Sequence, residues 1–343
     1  MYDYIIVTHI PAFYKVNLYN ELANKLNILV VFISSNTNEE RADDFLSLNN
    51  AKFKYELLHK GNFQTREVFQ NIIKLKNILK NNKYKRILVS GWDLKEFWYI
   101  ILTNATIKNY LALESTINES RIDGIRGWIK KIFLSRISTI FASGNLHKSL
   151  VDSLNYKGKV LISKGVGIIN KPIFTPIKRE YKKRFLFIGR LSFVKNLEVL
   201  IKVFNSLENY NLTIIGEGED KEYLKSISHS NIIFKGAIDN INIKNHILEH
   251  DVFILPSVSE TWGLVAEEAL YFGLPVIISE KAGASELIVD NFNGFIINPL
   301  NKYEIRNTIL RIDYKVYQEL ILNIDKLSIF DKDILQVKAY NLD

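Results

Sequence analysis

The sequence predicts an α/β protein of two domains, each built around its own parallel sheet. Short apolar, β-branched runs alternate with helix-length segments throughout, the pattern of parallel βα units rather than of a sandwich or bundle. The alternation halts once, at GIINKPIFTPIKREYKK (167–183), which holds two of the six prolines and a charge cluster and reads as an interdomain linker. At 343 residues the chain is too long for one ordinary core and suits two.

In the first half, strands are expected at YIIVT (4–8), ILVVFIS (28–34), RILVS (86–90), NYLALES (109–115), TIFAS (139–143) and KVLIS (159–163). The pattern restarts with RFLFIG (184–189) and continues through NLTIIG (211–216), NIIFKG (231–236), VFILP (252–256), PVIIS (275–279) and GFIIN (294–298). The expected organisation is a domain over 1–166, the linker 167–183, a second domain over 184–325, and a closing segment 326–343 that packs back on the first domain.

With 47% hydrophobic and 24% charged residues the composition is that of a globular protein, and no run reaches the ~18 uncharged apolar residues a membrane span needs. The start, MYDYIIVTHIP, lacks the basic and long apolar regions of an export signal, so a cytoplasmic location is expected. Cysteine is absent, which excludes disulfides, thiolate metal sites and a cysteine nucleophile. Residues 1–170 hold 24 Lys/Arg against 14 Asp/Glu, a net +10, whereas 171–343 hold 21 against 23, a net −2. Such asymmetry suits one half facing an anion, nucleic acid or an acidic membrane surface, and a Lys- and Asn-rich composition bias explains it equally well. For nucleic acid the cations are too scattered among acids, and no stacking motif appears.

Several features fall at the carboxyl ends of consecutive expected strands in the second half, where an open α/β sheet places its ligand crevice. In GRLSFVKN, Gly189 ends a strand, Arg190 follows, and Lys195 opens the next helix. Two cations at one crevice suit a diphosphate, because Arg grips two oxygens at once and Lys adds a compact charge. GEGED (216–220) places Gly216 where a tight turn lets backbone approach a ligand; a turn with no ligand fits as well. Gly236 of FKG ends the neighbouring strand, where backbone groups could bond a base edge. In SVSETWGLVAEEALYFGLPVI (257–277), Glu260 precedes a helix that starts near Gly263, whose open N–H groups favour an anion or an oxygen-rich group. At 100° per residue Leu264, Val265, Ala269 and Phe272 share the expected inner face with Glu268 between them, while Glu267 points away beside Tyr271. Ligand hydroxyls would offset the desolvation of Glu268. Gly283 and Ala284 precede another expected helix start, near Ser285, that offers amides to phosphate or sugar oxygens.

In this order and spacing, FTP (174–176), GRLSFVKN, GEGED, FKG, ETWGLVAEEAL and AGASELI resemble glycosyltransferase family 4, over roughly residues 135–300. The resemblance implies the GT-B fold, two Rossmann-like domains facing across a cleft, with an acceptor-binding N-terminal domain and a nucleotide-sugar-binding C-terminal one. It implies a retaining, metal-independent hexosyltransferase with a UDP- or GDP-sugar as donor and no cofactor, serving cell-surface polysaccharide synthesis on a glycan acceptor, a lipid-linked one being expected from the basic amphipathic segment 124–138. Arg190 and Lys195 would bind the diphosphate and stabilise the leaving group, Glu260 would contact sugar hydroxyls near the anomeric centre, and Glu268 would hold the ribose. Amides around Gly263 and Leu264 would help bind phosphate or sugar.

The first half departs from the family pattern. Its first loop is HIPAFYKVN (9–17) without the usual glycine pair, and a middle strand ends in ALES where relatives often carry histidine. His9 and Glu114 are the candidates for the acceptor side. GIRGWIKKIFLSRIS (124–138) sets Trp128, Ile129, Ile132, Phe133 and Ile137 on one broad face with Lys130, Lys131 and Arg136 at its flanks. This pattern suits peripheral docking on anionic lipid, and a core stripe suits it equally. Competing readings are a catalytically silent binding subunit, against which the intact Arg190, Lys195, Glu260 and Glu268 argue, and a nucleotide-sugar epimerase, for which the first half supplies few acid/base groups.

Overall fold

The computed structural model describes residues 1–39, 42–174, 179–324 and 329–342. Thr175 and Pro176 of the linker motif, and the expected boundary at 325/326, lie outside the described residues. The chain divides into two units, Met1–Asn170 with Asp331–Asp343, and Lys171–Phe330.

The first unit carries seven strands, β1 (Tyr2–Thr8), β2 (Ile28–Asn36), β3 (Lys54–Asn62), β4 (Tyr84–Val89), β5 (Asn109–Leu113), β6 (Thr139–Ala142) and β7 (Lys159–Ile162). They form one parallel sheet in the order β3-β2-β1-β4-β5-β6-β7. The period of two sends Ile5 and Val7 of β1 into one buried cluster with Val31, Val89 and Leu111, and Tyr4 and Ile6 into another with Val30, Phe32 and Phe141. Helices must therefore cover both faces, which is why the strands read as continuous apolar runs. The helix Phe13–Ala23 covers the second cluster through Val16, Tyr19 and Leu22, joined there by Val337 and Tyr340. The Tyr340 ring lies 4.3 Å from that of Phe141.

The second unit carries β8 (Arg184–Ile188), β9 (Asn211–Ile215), β10 (Ile232–Gly236), β11 (Val252–Leu255), β12 (Val276–Ser279) and β13 (Gly294–Ile297), parallel in the order β10-β9-β8-β11-β12-β13. Buried Asp251 fixes the register of β11 against β8: one oxygen accepts from the amides of Lys182 and Arg184 at 2.8 Å each, the other from Arg184 Nη2 at 2.8 Å. Strand order reverses at β1/β4 in one unit and β8/β11 in the other, and the carboxyl ends beside those reversals are the ligand positions of such sheets.

Each expected strand is present, with ends moved by a few residues at most. The expectation omits β3, an edge strand in which Leu58 alone is buried, so no apolar run announces it. The basic amphipathic segment divides between the two readings left open for it, with Trp128 and Ile129 exposed and the later Phe133 and Ile137 buried. The helix runs Gly124–Ser135, and Phe133, 0% exposed, and Ile137, 4%, belong to the core rather than to an outer face. Lys130, half-buried, donates to the carbonyl of Arg121 at 2.7 Å. Among the described residues no helix is long and apolar enough to cross a membrane.

Candidate functional site

The site is built on the carboxyl end of the second sheet. Gly189, Gly216 and Gly236 follow or end β8, β9 and β10, with the Gly189 amide bonded to Ile215 O at 3.0 Å and the Gly216 amide to Gly236 O at 2.8 Å. Gly216 has φ +138°, and a Cβ there would sit 1.9 Å from Gly189 O. The close approach that the GEGED glycines permit is therefore to the protein's own next loop. Leu191 donates to Glu217 O at 2.8 Å and accepts from the Asp220 amide at 3.1 Å, lacing the two loops together.

The GRLSFVKN loop is held from three sides, and this is what places Lys195. Its end forms a short 3-10 turn, Phe193–Lys195, after which Asn196 takes a left-handed conformation at φ 57°. The Asn196 side chain donates to Pro256 O at 3.2 Å and Pro299 O at 2.7 Å, while the Val258 amide bonds Val194 O at 2.9 Å. Thus fixed beside the loop after β11, Lys195 Nζ donates to Glu260 Oε2 in an ion pair, the two side chains 16% and 14% exposed.

Glu260 is set by the opposite loop. Its carbonyl accepts from the Gly283 amide at 3.1 Å, and its amide reaches Lys281 O at 3.4 Å. A Cβ on Gly283 would meet Thr261 O at 2.3 Å, so glycine is required where the two loops touch. The Gly283 amide is thereby spent on protein, as is that of Ala284, which bonds Trp262 O at 2.8 Å. The segment Gly283–Leu287 is a five-residue 3-10 turn, not the α-helix start expected from the sequence. Gly283 thus supports Glu260 rather than donating its amide to a ligand.

Gly263 (φ 100°, ψ 61°) caps the helix Leu264–Tyr271 without any side-chain cap bond. A Cβ on it would lie 3.5 Å from Glu260 Cγ, which sets the opening of the helix, with the amides of its first turn including Leu264, against the ion pair. The buried positions of this helix differ from those its apolar pattern predicts. Ala266, Glu267, Ala269 and Leu270 are the buried positions, and Glu267, fully buried, accepts a hydrogen bond from Trp262 Nε1. Glu268 is half-buried. The helix has turned from the apolar-stripe prediction because indole and carboxylate satisfy each other inside; Leu264 and Val265 are half-buried instead. The direct contact joins Lys195 to Glu260, with Gly189, Gly263 and Gly283 packed around the pair. Arg190 is exposed immediately after Gly189, and Glu268 lies in the second turn of its helix.

In the first unit His9, just past β1, meets Asp93, just past β4, with Nε2 3.1 Å from Oδ2, so the pair straddles the β1/β4 reversal. The imidazole is flanked by Phe63 and Phe97. Burial pushes the Asp93 carboxyl up, but the hydrogen bond and charge of His9 outweigh it and hold the carboxyl below its ordinary value. Glu114, past β5, accepts from Lys15 at 2.8 Å. Burial alone would depress Lys15; the Glu114 charge outweighs it and holds the ammonium protonated. Sequence reasoning misses both partners. A lone lysine in the apolar stretch FYKVNLY and an aspartate two residues past Gly91 were the available signals. Among the described residues no group of three or more His, Asp or Glu could hold a metal ion.

Two Rossmann-like parallel domains of this kind define the GT-B fold. HepE of Anabaena in complex with UDP superposes with a TM-score of 0.73 over 99% of this chain and 97% of its own, at 14% identity. Residues 171–313 match the family described as glycosyl transferases group 1. An uncharacterized glycosyltransferase of Methanocaldococcus jannaschii is 29% identical over 52% of this chain, and the match spans 46% of that relative's length. The O-antigen biosynthesis glycosyltransferase WbnH of Escherichia coli is 26% identical over 65% of this chain and 66% of its own.

Proposed function

We propose that this chain is a retaining, metal-independent hexosyltransferase that moves a sugar from a UDP- or GDP-sugar to a hydroxyl of a lipid-linked glycan in polysaccharide assembly. The observation that carries the reading is the Lys195–Glu260 pair at the carboxyl end of β8 and β11, inside the segment that matches the transferase family. The similarity to an O-antigen glycosyltransferase supports the polysaccharide context, and HepE, with the same fold, binds UDP.

In this reading the bond between the sugar's anomeric carbon and the diphosphate oxygen breaks, and Arg190 and Lys195 neutralise the charge that develops there. Before donor binding Glu260 balances Lys195; with the donor present Lys195 is shared with the diphosphate and Glu260 turns to sugar hydroxyls. The acceptor oxygen attacks the face the leaving group vacates, through an oxocarbenium-like transition state, and its proton passes to the departing phosphate oxygen. Glu268 accepts from the ribose hydroxyls, and the open amides near Gly263 and Leu264 donate to phosphate. His9 and Glu114 hold acceptor hydroxyls in the first unit.

The test is a panel of UDP- and GDP-hexoses, scored for thermal stabilisation and donor turnover, followed by NMR of the product's anomeric proton. One donor that raises the melting temperature and yields a product with the donor's own configuration is expected. A panel without any stabilisation or turnover, or a product of inverted configuration, would overturn it.

A further inference from the structure

The helix Gly124–Ser135 buries apolar side chains of its last turn and leaves those of its first two turns exposed. Phe133 and Leu134 are buried inward, together with Ile137 just beyond the helix. In its first two turns Ile125, Trp128 and Ile129 stand 77%, 63% and 42% exposed, and Ile122 on the approach is 37% exposed. At 100° per residue Ile125, Trp128 and Ile129 fall within an arc of about 100°, and Arg126 and Lys131 lie about 60° beyond its two edges. Both cations are exposed, as is Arg121. Lys130 fastens Arg121's backbone to the helix and lies 5.3 Å from the Trp92 ring, so the loop with Arg121 and Ile122 belongs to the same surface. Asp123 is the one acidic residue between 121 and 131.

Large apolar side chains between long cationic ones are ill suited to water and well suited to an acidic lipid interface. The indole and isoleucines fit the boundary between headgroups and acyl chains, while Arg and Lys extend to phosphates at its edge. A protein partner would demand a shaped pocket or acidic complement; a bilayer demands only this amphipathic stripe and its positive rim. We infer that this face docks the chain on an anionic phospholipid surface, with Ile125, Trp128 and Ile129 inserted and Arg121, Arg126 and Lys131 on the headgroups. The inference stands on the surface alone and does not rest on the transferase reading.

The experiment is flotation of the purified full chain with vesicles of phosphatidylcholine, with or without about 30% phosphatidylglycerol. The chain is expected to float with the anionic vesicles and to be released by salt, the positive rim being screened. Arg126→Gln with Lys131→Gln lowers binding about 25-fold, roughly fivefold per charge. Ile125→Ser with Trp128→Ser lowers it at least about tenfold, and melting temperatures stay within about 2 °C because these side chains are exposed. Equal flotation on both vesicle types, no flotation, or charge variants that bind like the parent would each overturn the inference. So would a concentration-dependent dimer that Trp128→Ser dissolves without changing flotation, since the face would then belong to a second copy.

Discussion

Replacing Lys195 with alanine perturbs stability and chemistry by different amounts, and the two are separable. In the folded chain the ammonium is paired with Glu260 where both side chains are about one-seventh exposed, 16% and 14%. Removing one partner of a fully buried pair costs about 3–5 kcal/mol because a charge is left uncompensated, and the residual solvent here reduces that to about 2 kcal/mol. For a unit of this size the loss lowers the melting temperature by roughly 4–8 °C. Adding Glu260→Gln removes the uncompensated charge and restores about 1 kcal/mol of stability, a coupling a double-mutant cycle measures directly. Turnover follows another rule: losing a donor aimed at developing leaving-group charge costs ~10²–10³ in rate, and neutralising Glu260 does not bring it back. The assay is thermal melting alongside nucleotide release for the parent, both single variants and the double. A double variant that regains turnover together with stability would show that the pair only holds two loops, and Lys195→Ala within tenfold of the parent rate would refute the leaving-group role.

Two further outcomes rest on packing and protonation. Gly216→Ala places a methyl group 1.9 Å from Gly189 O at a φ of +138°, so it forces β8 and β9 apart at their carboxyl ends; a loss of about 1–3 kcal/mol is expected in denaturant titration, with weakened nucleotide binding. His250 bonds the His246 carbonyl through Nδ1 at 2.6 Å and Thr213 Oγ1 through Nε2 at 2.8 Å, so Nδ1–H donates to the carbonyl and Nε2 accepts from the hydroxyl. Burial pushes this imidazole below its ordinary 6.5. With the folded value lower, the unfolded chain binds more protons, and stability drops as the pH falls below 6.5. His250→Gln flattens that part of the melting-temperature profile, and an unchanged profile would contradict the assignment.

The sheets were legible in the sequence because strands buried on both faces must be apolar throughout, and runs such as VFIL of β11 have no other reading at that length. β3 was not, since an edge strand with the pattern KYELLHKGN hides its only buried side chain among charges. Motif spacing brought Lys195 to Glu260 because a fold that ends consecutive parallel strands at one edge gathers their loops. The helical wheel failed at Glu267 because periodicity scores side chains by polarity, and a carboxylate paired with an indole is buried at no such penalty. Asp93 and Lys15 were out of reach for a related reason: each is defined by a partner 84 or 99 residues away rather than by its own neighbours.

The central claim is that a donor diphosphate is held at the carboxyl ends of β8 and β11 by Arg190 and Lys195. Calorimetric titration of UDP and GDP into the parent, Arg190→Ala and Lys195→Ala measures it directly. The account predicts that one nucleotide binds the parent and that each variant loses about 10- to 100-fold in affinity, as removal of a charge-assisted bond of about 1.5–3 kcal/mol requires. Affinities unchanged in both variants, or no binding to the parent, would contradict it.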